Sequence, residues 1–162
     1  MKKLFLFLTM SALTFSATSC SKDENTVASG SMGTVTFTVD GTTKTFSQIE
    51  ARNSGDDIMI TAFNGASQIA ATEQVSFVVQ PNKTGYNAIG DLGFSYVITG
   101  NSTWTDYQSG FQFNVTDNST TAKTLKGTFT GTLKEYNGEK PSKAITNGTF
   151  DVKYQLITPP SK

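Results

Sequence analysis

The sequence has no histidine, one cysteine, one tryptophan and four prolines, and charged residues make up only 16% of its 162 positions. Each shortage removes a class of chemistry. Without imidazole there is no Ser-His-Asp or Cys-His catalysis, and the usual zinc and redox-metal sites lose their commonest ligand. A lone cysteine closes no internal disulfide, even in a compartment that would permit one. Thirteen Lys and Arg balance thirteen Asp and Glu, with no long basic stripe, so the electrostatic footprint of a nucleic-acid binder is missing. The apolar run Leu4 to Phe15 falls well short of the roughly 20 residues that a bilayer-spanning helix needs.

That run has the flanks of an export signal. Lys2 and Lys3 precede it, and Ala17 and Ser19 place small residues just ahead of Cys20, as a signal peptide requires. Residues 1–19 are therefore expected to be removed, which takes away two lysines and leaves a small net negative charge. The stretch Ser16 to Cys20 resembles the lipobox of bacterial lipoproteins, although position −3, usually Leu there, is Ala17. The resemblance implies that Cys20 is acylated and that the lipid bilayer is a partner. An ordinary secretory signal that leaves Cys20 at the new N-terminus is the other reading of the same residues. Each buried methylene contributes about 0.8 kcal/mol, so two or three acyl chains would make an effectively permanent anchor.

Ser21-Lys22-Asp23-Glu24-Asn25 is similar to the acidic export tag of Bacteroidetes-type lipoproteins, which implies an outer-membrane location on the cell surface. A charged linker start explains the same residues. Residues 20–32 read as the lipidated cysteine and a flexible linker, spanning on the order of 20 Å as a coil. The folded domain is expected over residues 33–158, with 159–162 as a tail, a length that suits one core.

Within that span, short alternating runs separated by Gly, Asn and Asp dominate. Val35, Phe37 and Val39 alternate with threonines, and Asp40-Gly41 supplies the positive-φ pair of a tight hairpin. Ile49–Arg52 reads as an extension of the second strand, and 68–72 as a short helix or loop. Further runs centre on Ile58-Ile60-Ala62, Val75-Phe77-Val79, Leu92-Phe94-Tyr96-Ile98 and Phe111-Phe113-Val115. Residues 117–122 read as a polar loop. Leu125, Gly127, Phe129, Gly131 and Leu133 share one face of a long strand, whose glycines mark places where another backbone approaches closely. A last strand is expected from Gly148 to Leu156. The pattern predicts about nine strands in a single all-β, antiparallel sandwich or barrel, without choosing between the two.

The C-terminal sequence Gly127-Thr128-Phe129 followed by Ile145-Thr146-Asn147-Gly148-Thr149-Phe150, with the opening Phe37-Thr38-Val39-Asp40-Gly41, resembles a family of uncharacterised Bacteroidetes surface lipoproteins. The resemblance implies a β-rich fold and a surface location, and brings no activity with it.

Carboxylates are scattered, and most sit at turn positions, so no catalytic residue is assigned. A glycosidase pair facing across a cleft is not visible in sequence. Asp56-Asp57 and Asp117-Asn118 lack the alternating ligand spacing of a calcium loop, and neither a metal nor a cofactor is expected. The most distinctive stretch is Gly100 to Tyr107, where the single tryptophan stands near an aspartate and a tyrosine. Trp104, Asp106 and Tyr107 are the candidate glycan contacts, since aromatic faces stack on sugar rings and a carboxylate accepts hydroxyl bonds. The bland alternative makes Trp104 a cap on the core. The function these observations favour is a non-catalytic binding module for a glycan or an envelope protein. A carboxylate-based hydrolase and a barrel enclosing a small apolar ligand are the competing readings.

Overall fold

A computed structural model describes residues 31–86, 88–100, 102–106 and 110–157. The signal segment, Cys20 and Tyr107 lie outside the described residues. Ten strands follow in order: β1 (Met32–Val39), β2 (Thr42–Phe46), β3 (Gln48–Ser54), β4 (Asp57–Phe63), β5 (Glu73–Val79), β6 (Ile89–Ile98), β7 (Ser102–Thr105), β8 (Gln112–Ser119), β9 (Thr124–Glu135) and β10 (Lys143–Lys153). There is no helix among the described residues.

Nine strands form one sheet in the order β2-β1-β10-β9-β7-β6-β5-β4-β3, every neighbouring pair antiparallel, with β8 also on β9. The two ends of that order, β2 and β3, are consecutive in the chain and joined by Ser47 alone. The chain therefore passes from one end of the sheet to the other through a single residue. Sequence patterning merged these two strands, because one exposed serine between alternating runs carries no turn signal. Beyond β10 the chain crosses to the seam: Leu156 bridges Ala51, and the Ile157 amide donates to the Ala51 carbonyl at 2.9 Å. The sheet is thus a nearly closed barrel, which decides between the two all-β architectures.

Alternation directs the large side chains inward. Phe37, Phe46, Phe77, Phe94, Tyr96, Trp104, Phe111, Phe113, Phe129 and Phe150 form one connected set of rings. Phe129 is its centre, with ring centroids 4.8 Å from Phe94, 5.8 Å from Phe37, 6.1 Å from Phe111 and Phe113, and 6.4 Å from Phe150. Offset and edge contacts of this kind add roughly 0.5–1.5 kcal/mol each beyond burial. These rings are packed together in the described interior, as in small barrels filled with side chains. Outward positions carry Thr34, Thr36, Thr128, Thr130, Thr149 and Asp151. This reverses the apolar-out pattern of a membrane-spanning barrel.

Two features of β10 and β9 shape the outer surface. The strand begins at Lys143, not at Gly148, and Ile145-Thr146-Asn147-Gly148 lies within it. Pairing with both neighbours shifts by one residue there, and Asn147 takes φ 52°. Asn tolerates that left-handed conformation, so the bulge absorbs it and the ladder resumes. At Gly148 a Cβ would lie 2.3 Å from the Phe129 carbonyl oxygen, and at Gly127 2.2 Å from that of Asn114. The approach at Gly127 is one that the glycine spacing in β9 implied; that at Gly148 is seen only in the structure. Likewise β8 continues through Asp117 and Asn118 to Ser119, so the reading of 117–122 as a loop is corrected to 120–123. Residues 64–72 are a loop, tied by Asn64 Oδ1, which accepts from the Thr72 and Glu73 amides at 3.0 and 2.8 Å.

Replacing Phe129 by Ala removes the central ring and is expected to cost about 3–5 kcal/mol, a large share of a typical domain's roughly 5–15 kcal/mol. Urea unfolding of the variant checks this; a loss under about 1 kcal/mol would show that the neighbouring rings collapse into the space.

Candidate functional site

The structure places Trp104 in the core, 3% exposed. Its indole N–H donates to the Pro141 carbonyl at 3.0 Å, the Tyr96 ring lies 6.0 Å away, and the Lys143 ammonium sits 4.7 Å from the ring centroid. Trp104 closes one end of the barrel and presents no open face to a sugar. Asp106 follows β7, half-buried, with its amide donating to the Phe94 carbonyl at 3.1 Å. Its carboxylate lies over Gly93 (φ 63°), where a Cβ would come within 2.3 Å of Oδ1. Burial raises the Asp106 carboxyl above its ordinary value, against backbone hydrogen bonds that favour the charged form. Trp104 and Asp106 therefore do not form an exposed recognition pair.

The Trp104 end of the barrel is polar, with its charged groups paired. Glu73 accepts from Lys44 Nζ at 2.9 Å and from the Tyr96 hydroxyl at 3.2 Å, and Lys143 pairs with Asp40. Burial, and then the charge of Glu73, push the Tyr96 hydroxyl well above the usual tyrosine range, so it stays a donor. Glu135 is buried, and desolvation works against its charge. Backbone N–H groups of Glu139, Asn137 and Gly138 and the Ser102 hydroxyl outweigh that, and its carboxyl titrates lower than usual. The carboxylates of Asp40, Glu50, Glu73 and Asp151 are each held by a lysine or arginine. Among the described residues no group of three or more Asp, Glu or Cys stands together to hold a metal ion.

A different place has the form of a binding site. On the outer face of β8, β9 and β10 lies a groove of about 490 Å³. Its lining is Gln112 and Asn114 from β8, Thr128 and Thr130 from β9, and Asn147, Gly148 and Thr149 from β10, with Phe129 beneath and Tyr86 at the margin. Strand alternation turns these amides and hydroxyls outward, and the bulge at Asn147 adds relief to a surface that regular pleating would leave smooth. Tyr86 is held at the β8 flank by its neighbour: Gly85 and Val115 exchange backbone hydrogen bonds of 2.7 and 3.2 Å. The Tyr86 side chain is 65% exposed. No lining residue is charged, and every polar side chain in it both donates and accepts hydrogen bonds. A smaller hollow of about 270 Å³ lies outside β4–β6 among Met59, Ser76, Val78, Gly93 and Ser95.

Sequence reading did not single out this groove. Its residues come from four separate stretches, and only strand register brings them together. The one available signal was indirect, the Asn147-Gly148 dipeptide. Comparison of the chain with protein-family models, with curated proteins and with solved structures found no match.

Two measurements follow from these placements. Trp104 is the sole tryptophan, so native fluorescence is expected to be blue-shifted and resistant to iodide until unfolding; free quenching in the native state would contradict its burial. Asp106 has a native pKa above its unfolded value of about 3.9. Its contribution therefore falls as pH rises from the unfolded value through the native one, because the unfolded chain loses that proton first. Asp106→Asn is expected to remove this component from a stability–pH profile; an unchanged slope would show that Asp106 titrates normally.

Proposed function

We propose that this chain is a non-catalytic binding module, held on the outer membrane at the cell surface through acylated Cys20, that takes an uncharged glycan into the groove on β8–β10. The observation that carries the reading is the groove's chemistry. Amides and hydroxyls, each both donor and acceptor, match the hydroxyls of a sugar, and the exposed Tyr86 ring offers a stacking face beside them. A charged ligand would be desolvated there with no opposite charge to meet it. A carboxylate hydrolase has no comparable support, since the groove is lined by no Asp or Glu.

The placement suits an anchored module. Ser31 is bound at the end of the barrel where β10 finishes, its hydroxyl accepting from the Gln155 amide at 2.9 Å. A tether running back to Cys20 would leave from that end.

The anchor is tested by the intact mass of the protein from cells, together with protease shaving of whole cells. Acylated Cys20 with loss of the domain on shaving is expected; an unmodified cysteine would overturn the anchor. Binding is tested by calorimetry of the full mature chain against neutral oligosaccharides. Tyr86→Ala is expected to weaken binding by about tenfold, roughly 1.4 kcal/mol, whereas Trp104→Phe leaves it unchanged. Affinity that survives Tyr86→Ala and Asn114→Ala combined would place the ligand elsewhere, and capture of an envelope protein on the groove would replace the glycan with that partner.

A further inference from the structure

Resting on the groove as a glycan site, we propose that its ligand is a linear, neutral polysaccharide lying across the strands, and that the site continues beyond the groove over β1 and β2. Strand register carries this. Thr45 of β2 faces Thr36 of β1, Thr36 faces Thr149 of β10, Thr149 faces Thr128 of β9, and Thr128 faces Asn114 of β8. All five belong to the outward set of their strands, and the last three line the groove. They form one unbroken row across five strands.

A second row runs beside it. Thr43 faces Thr38 and Thr38 faces Thr146, the bulge then inserts Asn147, and Thr130 faces Gln112 on the far side. Thr36 and Thr45 hydroxyls meet at 3.2 Å, and those of Thr38 and Thr43 at 3.3 Å. Each hydroxyl keeps capacity for a further partner. The groove is the deep end of this two-row track, and Tyr86 stands at its end.

The neighbouring row differs in kind. Thr34 faces Asp151, Asp151 faces Lys126 and Lys126 faces Asp117, with Lys126 and Asp151 ion-paired at 2.9 Å. A charged ridge thus borders the uncharged track on one side and sets its direction. A chain laid along the strands would cross the ridge; a chain laid across them would not. Strands lie about 4.8 Å apart, close to the advance of one pyranose unit in an extended chain. Successive sugars therefore meet successive strands, and the track accommodates about five of them. Threonine pairs also stabilise sheets without binding anything, so the test must separate the two roles.

The experiment is titration of the full mature chain with size-graded linear gluco- and manno-oligosaccharides of about two to about six units. Affinity is expected to climb with each added sugar and level off near about five. Thr36→Val with Thr45→Val removes two hydroxyls while keeping shape, and is expected to weaken the longest ligand about tenfold and leave the shortest unchanged. Tyr86→Ala weakens both. The near-ultraviolet signal of Trp104 reports that each variant is folded. Length-independent binding, or a threonine pair whose loss affects no ligand, would overturn the extended track and leave the groove standing. Absence of binding at every length, with the fold intact, would overturn both.

Discussion

A single phenylalanine surrounded by rings sets the terms for this molecule. Phe129 packs against five other phenylalanines drawn from β1, β6, β8, β10 and the segment before β8. A core of flat rings needs backbone near it, and glycine supplies the room: Gly148 and Gly127 bring β10, β9 and β8 together at separations that no Cβ would allow. Asn147 of the bulge and Gly148 also line the groove on the outer face. Interior packing and exterior groove are two sides of the same stretch of backbone.

Charge plays a supporting part. The acidic and basic groups of the Trp104 end are spent on each other, through Lys44 with Glu73 and Lys143 with Asp40. Partly exposed pairs of this kind contribute little stability, but they keep polar ends of buried side chains such as Tyr96 satisfied. The groove has the opposite character, with neutral groups of both hydrogen-bonding senses. The contrast sets the buried Trp104 and half-buried Asp106 apart from the exposed groove.

How far the sequence was readable follows from the range of each interaction. Alternation is local, so the inward faces of Val35-Phe37-Val39 and Val75-Phe77-Val79 were legible, as was the Asp40-Gly41 turn, whose residues both take positive φ. The corner at Ser47 joins consecutive strands without a turn signal, and the seam at Ala51 and Leu156 joins segments far apart in the chain, so nothing local announces either. Asn147 stood just ahead of the strand expected from Gly148; its place inside a strand depends on neighbours that hold the ladder together on both sides. The groove is hardest of all, since Tyr86, Asn114, Thr128 and Thr149 become neighbours only through register.

The position of β1 has a mechanical consequence. It is the strand that the N-terminal segment enters directly, and it is hydrogen-bonded on both sides, to β2 and to β10. Tension arriving from that segment would run along the strand axis. It would load two ladders in shear at once instead of peeling them one bond at a time. Resistance to forced opening is governed by the unfolding rate rather than by equilibrium stability.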